Sequence, residues 1–227
     1  MTAARRVVWV AVAIVCLSAA PVKAQSSQPA PGRVGVGFGL IWTGSQSLGS
    51  SDATETTGSG GDLVLFQTSS ELTSRVGFEA RVGVRVWRSL EAEASGTYAT
   101  PQIRTQISGD FEGAAPITAT EKVQQFSIVG GVLWRLPSIR QGSKLTPFVT
   151  GGGGYLRQLH EGDTLAESGQ LYQLGGGVEY LFSHGSSGVK GIGVRTDVRA
   201  VFRTKGVAFD DGHSVSPAFA ASLYARF

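Results

Sequence analysis

RVGFEARVGVRVW, residues 75–87, carries two chemistries that trade places at every step. Val76, Phe78, Ala80, Val82, Val84 and Val86 form one set, and Gly77, Glu79, Arg81, Gly83 and Arg85 form the other. Successive side chains of a β-strand point to opposite faces, so this stretch predicts a strand with one fully apolar face. Its other face mixes glycine with buried-type charge, Arg and Glu, and has no lysine.

Seven further stretches repeat the pattern. RVGVGFGLIW (33–42) sets Val34, Val36, Phe38, Leu40 and Trp42 against glycines, and LEAEASGTYAT (90–100) follows more weakly. QFSIVGGVLWRL (125–136), LTPFVTGGGGYL (145–156) and LYQLGGGVEYLF (171–182) come next, with Val149 and Tyr155 read as outward. GIGVRTDVRAVFR (191–203) sets Ile192, Val194, Val198 and Phe202 against Arg195, Asp197, Arg199 and Arg203. The chain ends in VSPAFAASLYARF (215–227), where Phe219, Leu223 and Phe227 share one face. Eight strands of about ten residues have the length a tilted strand needs to cross a bilayer.

A soluble sheet alternates too, but its polar face meets water and is dense in Lys and Glu. Here that face is mainly Gly, Ala, Ser and Thr with isolated charges, which suits the interior of a narrow cylinder. The charges then predict a structural ion network in the lumen: Arg81, Arg85, Arg135, Arg195, Arg199, Arg203 and Arg226 with Glu79, Glu91, Glu93, Glu179 and Asp197. Arginine suits such sites because its planar fork bonds two carboxylates at once. A filled interior is expected rather than an open pore. Aromatic residues near strand ends, among them Trp42, Trp87, Tyr98 and Trp134, are expected to form girdles.

The connectors read as long polar loops at 43–74, 105–122, 158–170 and 205–214, alternating with short links at 88–89, 137–144 and 183–190. The long set is acidic, with Asp52, Glu55, Asp62, Glu71, Asp110, Glu112, Glu121, Glu161, Asp163, Glu167, Asp210 and Asp211. GDLVLF (61–66) suggests that the first loop extends its strands, and ten strands result if it pairs independently.

Arg5 and Arg6 precede the apolar run from Val7 to Ala20, and Val22 and Ala24 mark a small-x-small ending. Together these predict a secretory signal peptide over 1–24 and a polar lead over 25–32, with the barrel at 33–227. The single cysteine, Cys16, leaves with the signal. So do Arg5, Arg6 and Lys23, which reduces 20 basic residues to 17 against 17 acidic ones. A formally neutral mature chain gives no reason to expect nucleic acid as a partner.

The chain resembles small outer-membrane β-barrel proteins of the OmpA/OmpX type, over residues 33–227. Phe227 as last residue, in phase with Ala225, Leu223, Ala221 and Phe219, resembles the C-terminal signal read by the barrel-assembly machinery. PFVTGGGGY (147–155) resembles a Pro-aromatic…Gly-x-Gly-Tyr strand common in these barrels. The resemblance implies an all-β, eight-stranded antiparallel up-and-down transmembrane β-barrel in a Gram-negative outer membrane, porin-like in architecture. It covers the barrel only, since residues 25–32 are too short for a peptidoglycan-binding domain and none follows Phe227. The expected partners are outer-membrane lipid and lipopolysaccharide, the assembly machinery and an unspecified extracellular ligand, for a monomer.

No cofactor is expected. His160 and His213, in HEGD and DDGH, could join carboxylates as metal ligands, although solvated acidic loops explain them as well. A lipid deacylase of this class needs His-x-Ser at the outer rim, whereas His184-Gly185-Ser186 falls in a turn on the other side and His213-Ser214 lacks the spacing. The glycine runs lack the Lys-Ser/Thr and helix of a phosphate loop. A non-enzymatic structural or surface-interaction role through the long acidic loops is therefore expected. A narrow solute channel and an outer-rim lipid-modifying enzyme are the alternatives.

Overall fold

The computed structural model describes residues 32–56, 58, 60–137, 144–160, 166–183, 188–204 and 214–227. The expected signal peptide and most of the polar lead lie outside them, as do Cys16, Glu161, Asp163, His184, Asp210, Asp211 and His213.

Eleven strands are described: β1 (Val34–Thr43), β2 (Gln46–Thr56), β3 (Asp62–Leu72), β4 (Arg75–Arg85), β5 (Leu90–Ala99), β6 (Gln102–Ser108), β7 (Ile117–Arg135), β8 (Leu145–His160), β9 (Ala166–Ser183), β10 (Gly191–Thr204) and β11 (Ser214–Arg226). Eight of them close on themselves in the order β7-β5-β4-β1-β11-β10-β9-β8, with β8 paired back to β7. Every pairing is antiparallel. The last residue takes part in the closure: the Phe227 amide donates to the Val34 carbonyl at 2.8 Å and the Val34 amide returns the bond at 3.3 Å.

The barrel is inside out relative to a soluble protein. Phe38, Phe78, Val82, Ile128, Leu174, Val198, Phe219 and Leu223 are all at least half exposed on its exterior, while Glu79, Arg81, Asp197 and Arg199 are at most 4% exposed within. Aromatic pairs mark the outer surface, Trp42 against Phe219 and Tyr98 against Phe126 toward the loop end, Tyr180 against Phe182 toward the turn end.

The connectors at 43–74 and 105–122 are not the polar loops their composition suggests. They are largely strand. β2 and β3 form a hairpin that prolongs β1 and β4, and β3 also pairs with β6, which pairs with the first turnless length of β7. GDLVLF therefore extends existing strands, and the barrel stays at eight. The physical reason is packing: Leu48, Leu72, Ile103 and Val123 bury one another on the shared face of this extension. Pairing along β3 supplies the backbone bonds that Ser- and Asp-rich β2 would not hold alone. A bulge at Ser47/Gly49 bends the ribbon, with Gly49 at φ 121°, a conformation open to glycine and strained for other residues. The expected connector at 158–170 likewise shrinks, because β8 runs to His160 and β9 starts at Ala166.

Candidate functional site: the filled lumen

Two ionic clusters and two other layers occupy the barrel interior. Toward the turn end, Arg135 on β7 donates from Nε to Glu179 Oε2 at 3.0 Å and from Nη2 to Glu91 Oε2 at 2.5 Å. Arg226 on β11 joins the same Glu179 carboxylate. Arg85, half-buried at the end of β4, belongs to this region and is engaged.

The central cluster ties β4 to β10 across the lumen. Glu79 accepts Arg199 Nη1 at 2.7 Å and Nη2 at 3.0 Å, and Arg81 Nε at 2.8 Å. Asp197 accepts Arg199 Nε at 2.5 Å, Arg81 Nη1 at 2.9 Å and Arg195 Nε at 3.3 Å. Arg195 also pairs with Glu93 on β5 and stacks over the Phe148 ring at 4.4 Å. Each carboxylate thus meets two or more donors, the condition under which buried charge is tolerated. Glycines make the room: a Cβ on Gly83 would stand 2.0 Å from Glu91 Oε1, and one on Gly177 would meet the Asp197 backbone and Cβ.

Above the central cluster, Ile41, Val129, Leu171, Val201, Ala218 and Ala220 form an apolar layer across the lumen. Beyond it, at the loop end, lies a polar layer of Thr43, Arg75, Gln125, Gln158, Arg203 and Ser216, all buried. A void of about 20 Å³ beside Arg81, Glu93, Arg135 and Glu179 has room for about one water molecule.

The structure brings Arg81, Arg135, Arg195, Arg199 and Arg226 into ion pairs with all five named acids. Arg203 makes none of these pairs, because the apolar layer containing Val201 separates it from Asp197 on its own strand. Arg75 is not among the lumen charges expected from the sequence. It sits at the very start of β4, where a strand boundary is hardest to place, yet its phase with Glu79 and Arg81 was the available signal. Phe219, Leu223 and Phe227 lie exposed on the outer face of β11.

His160 Nδ1 lies 2.8 Å from Glu121 Oε1, so its described carboxylate partner is on β7. Among the described residues no group of three His, Cys, Asp or Glu side chains could hold a metal ion.

These features define a small eight-stranded antiparallel β-barrel. No protein-family model and no curated protein matches the chain. Among solved structures it is similar to Neisserial surface protein A, at 12% identity over 86% of this chain and 97% of that one, TM-score 0.49. It is also similar to Ail, the attachment invasion locus protein of Yersinia pestis, at 11% identity over 87% and 100% of the two chains, TM-score 0.41. The outer membrane protein AlkL gives 15% identity over 92% and 96%, TM-score 0.45. The barrel assignment rests on the chain's own strand pairing, not on these likenesses.

Proposed function

We propose that the chain is a non-enzymatic outer-membrane barrel with a closed lumen, whose work is done by the strand-built extension at its loop end. One observation carries the membrane reading: the exposed belt is largely apolar while Glu79, Arg81, Arg135, Glu179, Asp197 and Arg199 turn inward. Exposing a Phe or Leu to water instead of an apolar phase costs about 1.5–3 kcal/mol each, and this belt holds dozens of such groups' worth of area. A closed barrel is also the β-form that leaves no strand edge unsatisfied in lipid.

The filled layers support a structural rather than a conducting role. Ion pairs block the centre and the apolar layer blocks the path above it. The extension, β2, β3, β6 and the start of β7, offers a surface that is acidic at Asp52, Glu55, Asp62 and Glu112 and apolar at Phe66, Phe111 and Ile117. A surface of this mixed kind fits contact with lipopolysaccharide through divalent cations, or with an extracellular ligand. In this reading residues 1–24 direct export, and Phe219, Leu223 and Phe227 present the assembly signal to the barrel-assembly machinery.

Planar-bilayer recording tests the reading together with membrane fractionation. The expected result is outer-membrane recovery, heat-modifiable gel migration and no steady current above leak. A stable open-channel current would replace it with the channel reading, and recovery as a detergent-free soluble monomer would end the membrane assignment.

A further inference from the structure

Among the described residues, the polar layer at the loop end of the lumen carries two arginines and no ion pair between them and a carboxylate. Arg75 is 6% exposed, and none of its Nε, Nη1 and Nη2 atoms has a hydrogen-bond partner. Arg203 is 5% exposed, and its Nε is likewise unpartnered. Ser216 Oγ and Gln46 Oε1, both buried, are unpartnered too. Thr43 ties these positions together, since it pairs with Arg75 on one side and with Ala218, two residues from Ser216, on the other. Arg203, of the same sign, acts on Arg75.

Among the described residues no carboxylate pairs with them. Glu79, four residues along β4, is taken by Arg81 and Arg199. Asp197 is taken by the central arginines, and the layer of Ile41, Val201 and Ala218 lies between. Farther out, Glu121 is engaged by His160, and Glu167, opposite Gln158 in register, has its buried Oε2 unpartnered and so bonds neither arginine through it. Elsewhere in this lumen buried arginines meet carboxylates, so the exception is local. A buried charge without a counter-charge is strongly destabilising, whereas guanidinium groups converging on one anion are a stable arrangement.

We propose that Arg75 and Arg203 form a binding site for a phosphate group at the outer end of the lumen, with Ser216 completing the donor set. Arginine's planar fork matches the oxygens of phosphate geometrically, and burial beneath the extension strengthens each bond. The site takes either free inorganic phosphate or the phosphate of a lipid headgroup; both present the same oxygens.

The test uses the full barrel refolded into a phosphate-free maltoside detergent. Calorimetric titrations with inorganic phosphate and, separately, with a short-chain phosphatidic acid distinguish the two sources. Arg75→Gln and Arg203→Gln should each weaken binding at least tenfold while heat-modifiable migration persists. Binding of inorganic phosphate identifies a free-anion site, and binding of phosphatidic acid alone identifies a headgroup site. Should either variant fail to fold, the wild-type barrel still decides, because inorganic phosphate or the phosphatidic acid must raise its unfolding temperature where chloride at equal ionic strength does not. No binding of either ligand, or binding unchanged in both variants, overturns the proposal.

Discussion

Arg199 on β10 donates from Nη1 to Glu79 Oε1 on β4 at 2.7 Å, across 120 residues of sequence and past the two strands between them in the barrel. Both side chains are almost wholly buried, so this bond acts as a cross-brace inside a cylinder otherwise held by neighbouring-strand pairing.

Removing one partner should be costly. Glu79→Ala strands Arg81 and Arg199 without their shared carboxylate, and it should lower the unfolding free energy by about 3–5 kcal/mol. Glu71→Ala, in the half-exposed pair with Arg104 on the extension, should cost about 0–1 kcal/mol. Urea unfolding followed by gel migration measures both, and equal costs would mean that the lumen is solvated rather than closed.

Room for the network comes from specific glycines. A Cβ on Gly193 would stand 2.2 Å from the Tyr180 carbonyl oxygen and 2.7 Å from the Tyr224 ring, so Gly193→Ala should destabilise by about 1–3 kcal/mol. At Gly130 nothing lies within 4 Å, so Gly130→Ala should be within about 0.5 kcal/mol of neutral. Thermal unfolding of the two variants side by side checks the contrast.

The exterior distinguishes lipid from water directly. Phe38 is 60% exposed near the middle of β1, and Phe38→Arg should cost about 2–4 kcal/mol for the barrel folded into phospholipid vesicles. On a water-facing sheet the same change would be neutral or would improve solubility. Equilibrium unfolding from vesicles gives the answer, and a neutral outcome there would contradict a lipid-facing belt.

The C-terminal residue has two separable roles. Phe227→Ala keeps the backbone bonds to Val34, so the refolded barrel should retain its stability to within about 1 kcal/mol. If its exposed aromatic ring serves the proposed assembly signal, its yield in cells should fall. Comparing refolding in detergent with the membrane-inserted fraction in vivo separates the two.

The extension should open before the barrel does. Leu72 is fully buried among Leu48, Ile103 and Val123, and Leu72→Ala should cost about 2–5 kcal/mol locally. Limited proteolysis should then cut within β2 and β3 while the barrel core survives; unchanged protection would show that backbone pairing alone holds the hairpin.

Strict alternation in β1, β4, β10 and β11 was legible residue by residue, because an apolar outer face and an inward one of glycine and charge each leave a period of two in the chain. β2 was not legible. Its QSLGSSDATET carries little apolar periodicity, and it is strand because β3 lies beside it and Leu48 finds Leu72, Ile103 and Val123. Arg75 went unnoticed for a related reason: a charged residue beside Thr73 and Ser74 looks like the end of a loop.

Composition and period by themselves thus determined an eight-stranded cylinder with greasy outside and ionic inside, since face assignment is a local property of each strand. Which arginine meets which acid, that Arg75 and Arg203 meet none among the described residues, and that two supposed loops are largely strand were decided only by the closed tertiary structure. Ring closure brings β4 and β10 within reach of one another across the lumen, and no local pattern encodes a contact between residues more than a hundred positions apart.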